Sequence, residues 1–96
     1  MGWMADETGL EKTPANYVAL TPLSHLRRAA HVFAHRTAVI YGAHRALYAQ
    51  YYERCTRLAS ALAARGVTPG DVVATLIPNL PAQAEAHFGV PACGAV

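Results

Sequence analysis

Charge is scarce in this chain. Only 15% of its 96 residues are charged, against about 25% in an ordinary globular protein. Eight basic and six acidic side chains leave a formal charge of +2. So small and scattered an excess gives no footprint for nucleic acid or an anionic membrane surface, and neither is expected as a partner. Lysine is scarcer still, with Lys12 alone. Cysteine is limited to Cys55 and Cys93, too few and too far apart for a disulfide framework or a zinc knuckle. No apolar run reaches the roughly 18–20 residues of a membrane span. The first twelve residues carry Asp6, Glu7 and Glu11 without the basic and apolar regions of a secretory signal. Gly2 is followed at position 6 by Asp6, where a myristoylation motif asks for Ser or Thr. A reducing, cytoplasmic compartment is expected, with an organelle left open.

Apolar residues, by contrast, make up 53% of the chain, which excludes the low-hydrophobicity composition of disorder. Ninety-six residues amount to one small domain, in which the core is thin. Low charge and high apolar content together imply that some apolar surface serves a partner outside this chain.

Residues 1–20 read as a mostly irregular tail, with Tyr17, Val18 and Leu20 as candidate anchors at its end. Thr21-Pro22 is a helix start, Thr21 as N-cap and Pro22 at the first helical position. Leu23, Leu26, Ala30 and Phe33 then form one apolar stripe, and the helix is expected to end near Ala34. Thr37 to Tyr41 is a short β-prone run, stopped by Gly42-Ala43-His44, and Arg45 to Leu47 returns as the second strand of a hairpin. From Tyr48 the period becomes helical. Tyr48, Tyr51, Tyr52, Cys55, Leu58, Ala59 and Leu62 share a face, Glu53 and Arg57 are spaced for an i,i+4 pair, and Gly66 closes the helix at C′.

Thr68-Pro69-Gly70-Asp71 is turn chemistry. Val72 to Ile77 is an apolar, β-branched run of the kind covered on both faces in a parallel sheet. Pro78 ends it, Asn79 is the expected cap of a further helix with Pro81 in its first turn, and Pro91 kinks or ends that helix. Strand, helix, strand from Arg45 to Ile77 predicts a right-handed βαβ unit. The fold class is therefore α/β, an incomplete part of a larger α/β domain: helix, hairpin, βαβ unit and another helix.

The order of these segments resembles a known family. Asn16-Tyr17-Val18, Leu20-Thr21-Pro22-Leu23, Arg36 to Gly42, Tyr48-Ala49-Gln50, Arg57 to Leu62, Gly70 to Val73 and Pro78-Asn79-Leu80-Pro81 are similar to the beginning of the adenylate-forming, AMP-binding acyl-CoA synthetases. Glu85 to Pro91 is similar to their branch acting on fatty and aryl carboxylic acids. The resemblance implies residues 21–96 to be a partial N-terminal subdomain truncated at Val96, with the remainder of the parent polypeptide as its partner. It implies for the parent an acid–thiol ligase using a carboxylic acid, ATP, Mg²⁺ and CoA. An acyl-adenylate and pyrophosphate form first, and the CoA thiol then displaces AMP. The family's Ser/Thr/Gly-rich loop ending in Pro-Lys-Gly, its aromatic-Thr-Glu segment, its ribose-binding Asp and its C-terminal lysine are not in this sequence. No catalytic, cofactor-binding or metal residue carries over, and the piece alone is expected to be structural and inactive, with no cofactor of its own. The alternative is a stand-alone small α/β interaction module.

Several residues invite a chemical reading and receive a plainer one. His31 and His35 are spaced as a metal pair on a helix, yet Val32 stands where a zincin has Glu and no third ligand is evident, so a solvated basic face is preferred. His44 is read in a turn and His87 in a helix, both structural or exposed. Cys55 lies on the buried stripe, without the base and exposure of a nucleophile. Cys93 is expected to be exposed. Arg54, Arg57 and Arg65 are read as a solvated helix face rather than a phosphate patch. Tyr41, Tyr48, Tyr51 and Tyr52 lack the interleaved basic residues of a stacking platform.

Overall fold

A computed structural model describes residues 8–96. The readings of Gly2, Asp6 and Glu7, and most of the acidic amino terminus, lie outside the described residues. Between Thr8 and Leu20 there are turns but no helix or strand. The side chain of Asn16 holds one turn, accepting from Thr13 N–H at 2.8 Å and donating to the Glu11 carbonyl at 3.0 Å. Lys12 lies over the Tyr17 ring, 4.5 Å from its centre. The expected anchors do not anchor: Tyr17, Val18 and Leu20 are all exposed.

Three helices and one hairpin follow: α1 Pro22–Val32, β1 Thr37–Tyr41, β2 His44–Leu47, α2 Tyr48–Ala64 and α3 Pro81–Ala92. The piece is a small α/β assembly. In α1 the predicted stripe is oriented inward, with Leu26 buried, Leu23 and Ala30 half-buried and Phe33 at the exposed C-cap. Strands β1 and β2 pair antiparallel from Tyr41↔His44, with a bulge between Thr37 and Val39. Their two-residue loop has positive φ at Gly42 but not at Ala43, the sign pattern of a II′ turn, which wants glycine first.

Helix α2 starts and stops where its sequence indicates. Leu47 is the N-cap and has no side-chain acceptor, so only half a capping box forms: Gln50 Oε1 accepts Leu47 N–H at 2.8 Å. The next two unpaired amides, of Tyr48 and Ala49, donate to the carbonyls of Arg36 and Ala34 at 2.9 and 3.2 Å. The turn after α1 thus does what a capping side chain does elsewhere. At the other end Val67 N–H reaches the Leu62 carbonyl and Gly66 N–H the Ala63 carbonyl, both at 3.1 Å, with Gly66 at φ 93°. That is a Schellman closure.

Three expectations are corrected. The N-cap of α3 is Leu80, not Asn79: Pro81 takes the first helical position, which fixes the boundary one residue later. The helix also continues through Pro91 to Ala92, because a proline this close to the end breaks little of the ladder. The larger correction concerns Val72 to Ile77. Among the described residues the sheet has only β1 and β2, so no βαβ unit joins β2 to residues 72–77, which carry no regular structure. One turn of extended pairing does exist there, to the other end of the chain. The Asp71 carbonyl accepts from Val96 N–H at 2.8 Å and Val73 N–H donates to the Val96 carbonyl at 2.9 Å.

The buried residues form two small clusters, Leu26, Tyr51 and Cys55 in one and Ala86, Val90 and Ala95 in the other. Both lie along the seam between α2 and α3. Gly89 of α3 sits against Leu58 of α2 so closely that a Cβ there would fall 2.6 Å from Leu58 Cδ2 and 2.9 Å from its Cβ and Cγ. Those contacts include the root of the Leu58 side chain, which cannot swing away.

Gly89→Ala is expected to destabilise the chain. Overpacking costs about 1–3 kcal/mol, while alanine recovers about 1 kcal/mol of helix propensity. A net loss of up to about 2 kcal/mol should appear as a lower denaturant midpoint. An unchanged or raised midpoint means the helices are not in this contact.

Candidate functional site

A group of polar and titratable side chains lies where the N-terminal half of α2 meets the start of α3. Periodicity places Tyr51, Arg54 and Cys55 on neighbouring positions of α2, and α3 supplies the Ala84 carbonyl and Glu85. Tyr51 Oη donates to the Ala84 carbonyl at 2.6 Å. Its ring meets Phe88 edge-on, 5.9 Å between centres and 87° between planes. Arg54 makes a two-pronged pair with Glu85, Nε to Oε1 at 3.0 Å and Nη2 to Oε2 at 3.3 Å. Glu85 is the sheltered partner, its side chain 16% exposed against 62% for Arg54. Cys55 is 2% exposed and is the largest fully buried side chain among the described residues.

Burial, with the Glu85 carboxylate adding to it, pushes the Cys55 thiol up to about 11. Tyr51 is pushed up to about 12, mainly by burial and then by Cys55 and Glu85. A thiol held neutral at ordinary pH is a poor nucleophile. The cluster is therefore a clasp between helices, one backbone-directed hydroxyl and one ion pair on either side of a packed thiol.

The other residues singled out in the sequence do not converge. His31 ends α1 and His35 lies in the turn beyond it, because α1 stops at Val32 rather than near Ala34. The two are not on one helical face. His44 belongs to β2 rather than a turn. His87 Nδ1 is 2.8 Å from the Gln83 carbonyl. Arg57 pairs with Glu53 at 2.6 Å, as their spacing suggests. Cys93 is half-buried rather than exposed, its Sγ donating to the Val90 carbonyl at 3.1 Å. Tyr52 stays 37% exposed although it shares the stripe. Glu85 as partner of Arg54 was missed, and nothing in a separation of 31 residues announces it.

No group of three or more His, Cys, Asp or Glu side chains gathers among the described residues, and the lone lysine is over Tyr17. The described residues do not fit a magnesium–triphosphate site. An apolar groove of about 630 Å³ runs beside α1 and α2, with Leu23, Arg27, Tyr52, Cys55, Ala59 and Phe88 among its walls. No described helix is long and apolar enough to cross a membrane.

The sequence profile of the AMP-binding enzyme family matches residues 26–96. The chain belongs to that family. The peroxisomal acetate/butyrate–CoA ligase AAE7 of Arabidopsis thaliana is 57% identical over 91 residues, covering 95% of this chain and 16% of the relative. The peroxisomal trans-cinnamate:CoA ligase of Petunia hybrida is 51% identical over 87 residues, covering 91% of this chain and 15% of the relative. The crystal structure of a proposed long-chain-fatty-acid–CoA ligase from Rhodopseudomonas palustris superposes with a TM-score of 0.76. It is 36% identical, over 80% of this chain and 20% of that one. The chain thus spans about one sixth of the length of these curated relatives, at their N-terminal part.

The clasp makes stability pH-dependent at the alkaline end. Both groups are raised in the folded chain, so their contribution is complete below the unfolded values near 9 and 10 and is lost as pH climbs toward about 11 and 12. The denaturation midpoint should be flat up to pH 9 and fall above it. Tyr51→Phe should remove the part of the slope belonging to the higher of the two groups. A midpoint independent of pH from 9 to 12 contradicts the burial of both groups.

Proposed function

We propose that this chain is a structural N-terminal segment of an ATP-dependent carboxylate–CoA ligase and is inactive by itself. Residues 1–20 are its tail and residues 21–96 part of the subdomain that frames the active site without entering it. The observation that carries the reading is the family match over residues 26–96 in a chain equal to 16% of its relative. In the parent the carboxylate attacks ATP, giving an acyl-adenylate and releasing pyrophosphate. The CoA thiol then attacks the acyl carbon, and AMP leaves. This chain's part is to pack the fold that holds those groups.

The acid is a short aliphatic or an aryl carboxylate, in line with the acetate, butyrate and cinnamate in the relatives' names. Metabolism of fatty acids in the broad sense includes this chemistry. Two free thiols suit a reducing compartment, and the peroxisomal relatives extend the choice from the cytoplasm to the peroxisome. A stand-alone interaction module is the weaker reading. The accessible surface is 7609 Å², against about 5,300 Å² for a self-sufficient monomer of this mass.

Calorimetric titration of the chain with MgATP, and separately with CoA, tests the proposal. No saturable heat is expected from either. A dissociation constant in the micromolar range for MgATP would show a nucleotide site within these residues and overturn the reading.

A further inference from the structure

We infer that the apolar groove beside α1 and α2 binds a single-chain amphiphile whose head is a phosphate monoester. Leu23 and Leu26 of α1, Ala59 of α2 and Phe88 of α3 line it, with Val67 beyond the end of α2. Its volume of about 630 Å³ is that of a small-molecule site, and such sites are apolar with a few placed polar groups. Arg27 is the one charged side chain among the described residues that line it. The walls suit an alkyl tail, and one point on the rim suits a negative head.

The mouth decides the class of head. A second cleft, of about 670 Å³, shares Ser24, Arg27 and Tyr52 with the groove and adds Arg28 and His31. No acidic side chain among the described residues lines either space. Positions 27 and 31 are one helical turn apart, as are 28 and 31, so the three basic side chains crowd one face of α1. Arg54 and Arg57 each hold a carboxylate, but these three have no acidic partner among the described residues. A phosphate monoester brings about −1.5 to −2 of charge at neutral pH and three acceptor oxygens, where a carboxylate brings a single charge. Planar guanidinium forks match it.

The same charge argues against a second copy as the occupant. Two chains laid groove to groove would be related by a two-fold axis, setting one basic mouth against another. Tyr52 also finds a role here. It shares the inward stripe of α2 yet stays 37% exposed, which suits a side chain standing at a mouth with its hydroxyl free to donate. The inference needs the packing of α1 on α2 and α3 and no part of the proposed function.

Calorimetric titration of the 96-residue chain with decyl phosphate, kept below its self-assembly concentration, tests the inference. One site per chain is expected, with amide shifts at Leu23, Arg27 and Ala59. Across octyl, nonyl and decyl phosphate the affinity should rise about fourfold per buried methylene. Inorganic phosphate and decyltrimethylammonium should each bind at least about tenfold more weakly than decyl phosphate. Arg27→Gln should weaken decyl phosphate by at least about tenfold and leave decanol unchanged. Arg65→Gln, outside the groove, should change neither. Ala59→Phe should fill the groove and remove the dependence on tail length, with circular dichroism reporting its fold. The tail series and Arg27→Gln decide the matter even if that variant unfolds. Equal affinity for anionic and cationic amphiphiles, no dependence on tail length, or an unchanged constant in Arg27→Gln would overturn the inference. Decanoate binding as tightly as decyl phosphate would assign a carboxylate head instead, and binding lost as the chain self-associates would give the groove to a second copy. No arm uses MgATP or CoA, so the groove and the proposed function fail separately.

Discussion

Gly89 has no side chain, and that is what lets α3 lie directly on Leu58 of α2. The two buried clusters are strung along this seam, and the Tyr51–Ala84 and Arg54–Glu85 contacts close its first half. Because α3 is held at this depth, its far end arrives at the turn around Pro69, and Val96 comes to rest beside Val72. Interiors are close-packed and transmit displacement. A shift of the seam would therefore move the helix, the clasp and the strand rung together.

The polar contacts between α2 and α3 are spent on holding the two helices together. The Cys55 thiol and the Tyr51 hydroxyl are neutral well above ordinary pH, and the Arg54 guanidinium is engaged by Glu85. The exposed apolar surface includes the groove beside α1, Leu76 and Val72, and Leu20 at the end of the tail.

What the sequence made legible was local. The start of α1 at Thr21-Pro22, the glycine turn of the hairpin, and the whole of α2 from Leu47 to Gly66 follow from rules that span a few residues. The family could also be read, through the order of segments rather than through any one of them. Pairings over long separations were not legible. Val72 to Ile77 has the composition of a strand, but nothing in it says whether its neighbour is β2 or a residue at position 96. Glu85 looks like an ordinary helix-surface acid until α3 is docked on α2. The pairing of His31 with His35 fails for a local reason, since α1 releases its last turn at Phe33 and the imidazoles part. Of the candidate site, the burial of Cys55 was visible in the stripe, whereas the clasp around it was not.

The account holds that this chain contributes packing and no chemistry to an AMP-binding enzyme. The most direct measurement is a graft: the corresponding N-terminal segment of the Arabidopsis acetate/butyrate–CoA ligase is replaced by residues 8–96, 57% identity making the exchange conservative. Acyl-CoA formation is then measured across a series of carboxylic acids. The graft should fold, keep CoA-ligase activity within about tenfold of the parent, and rank the acids as the parent does. A folded graft that has lost activity, or that ranks the acids differently, would place chemistry or specificity in this segment and contradict the account.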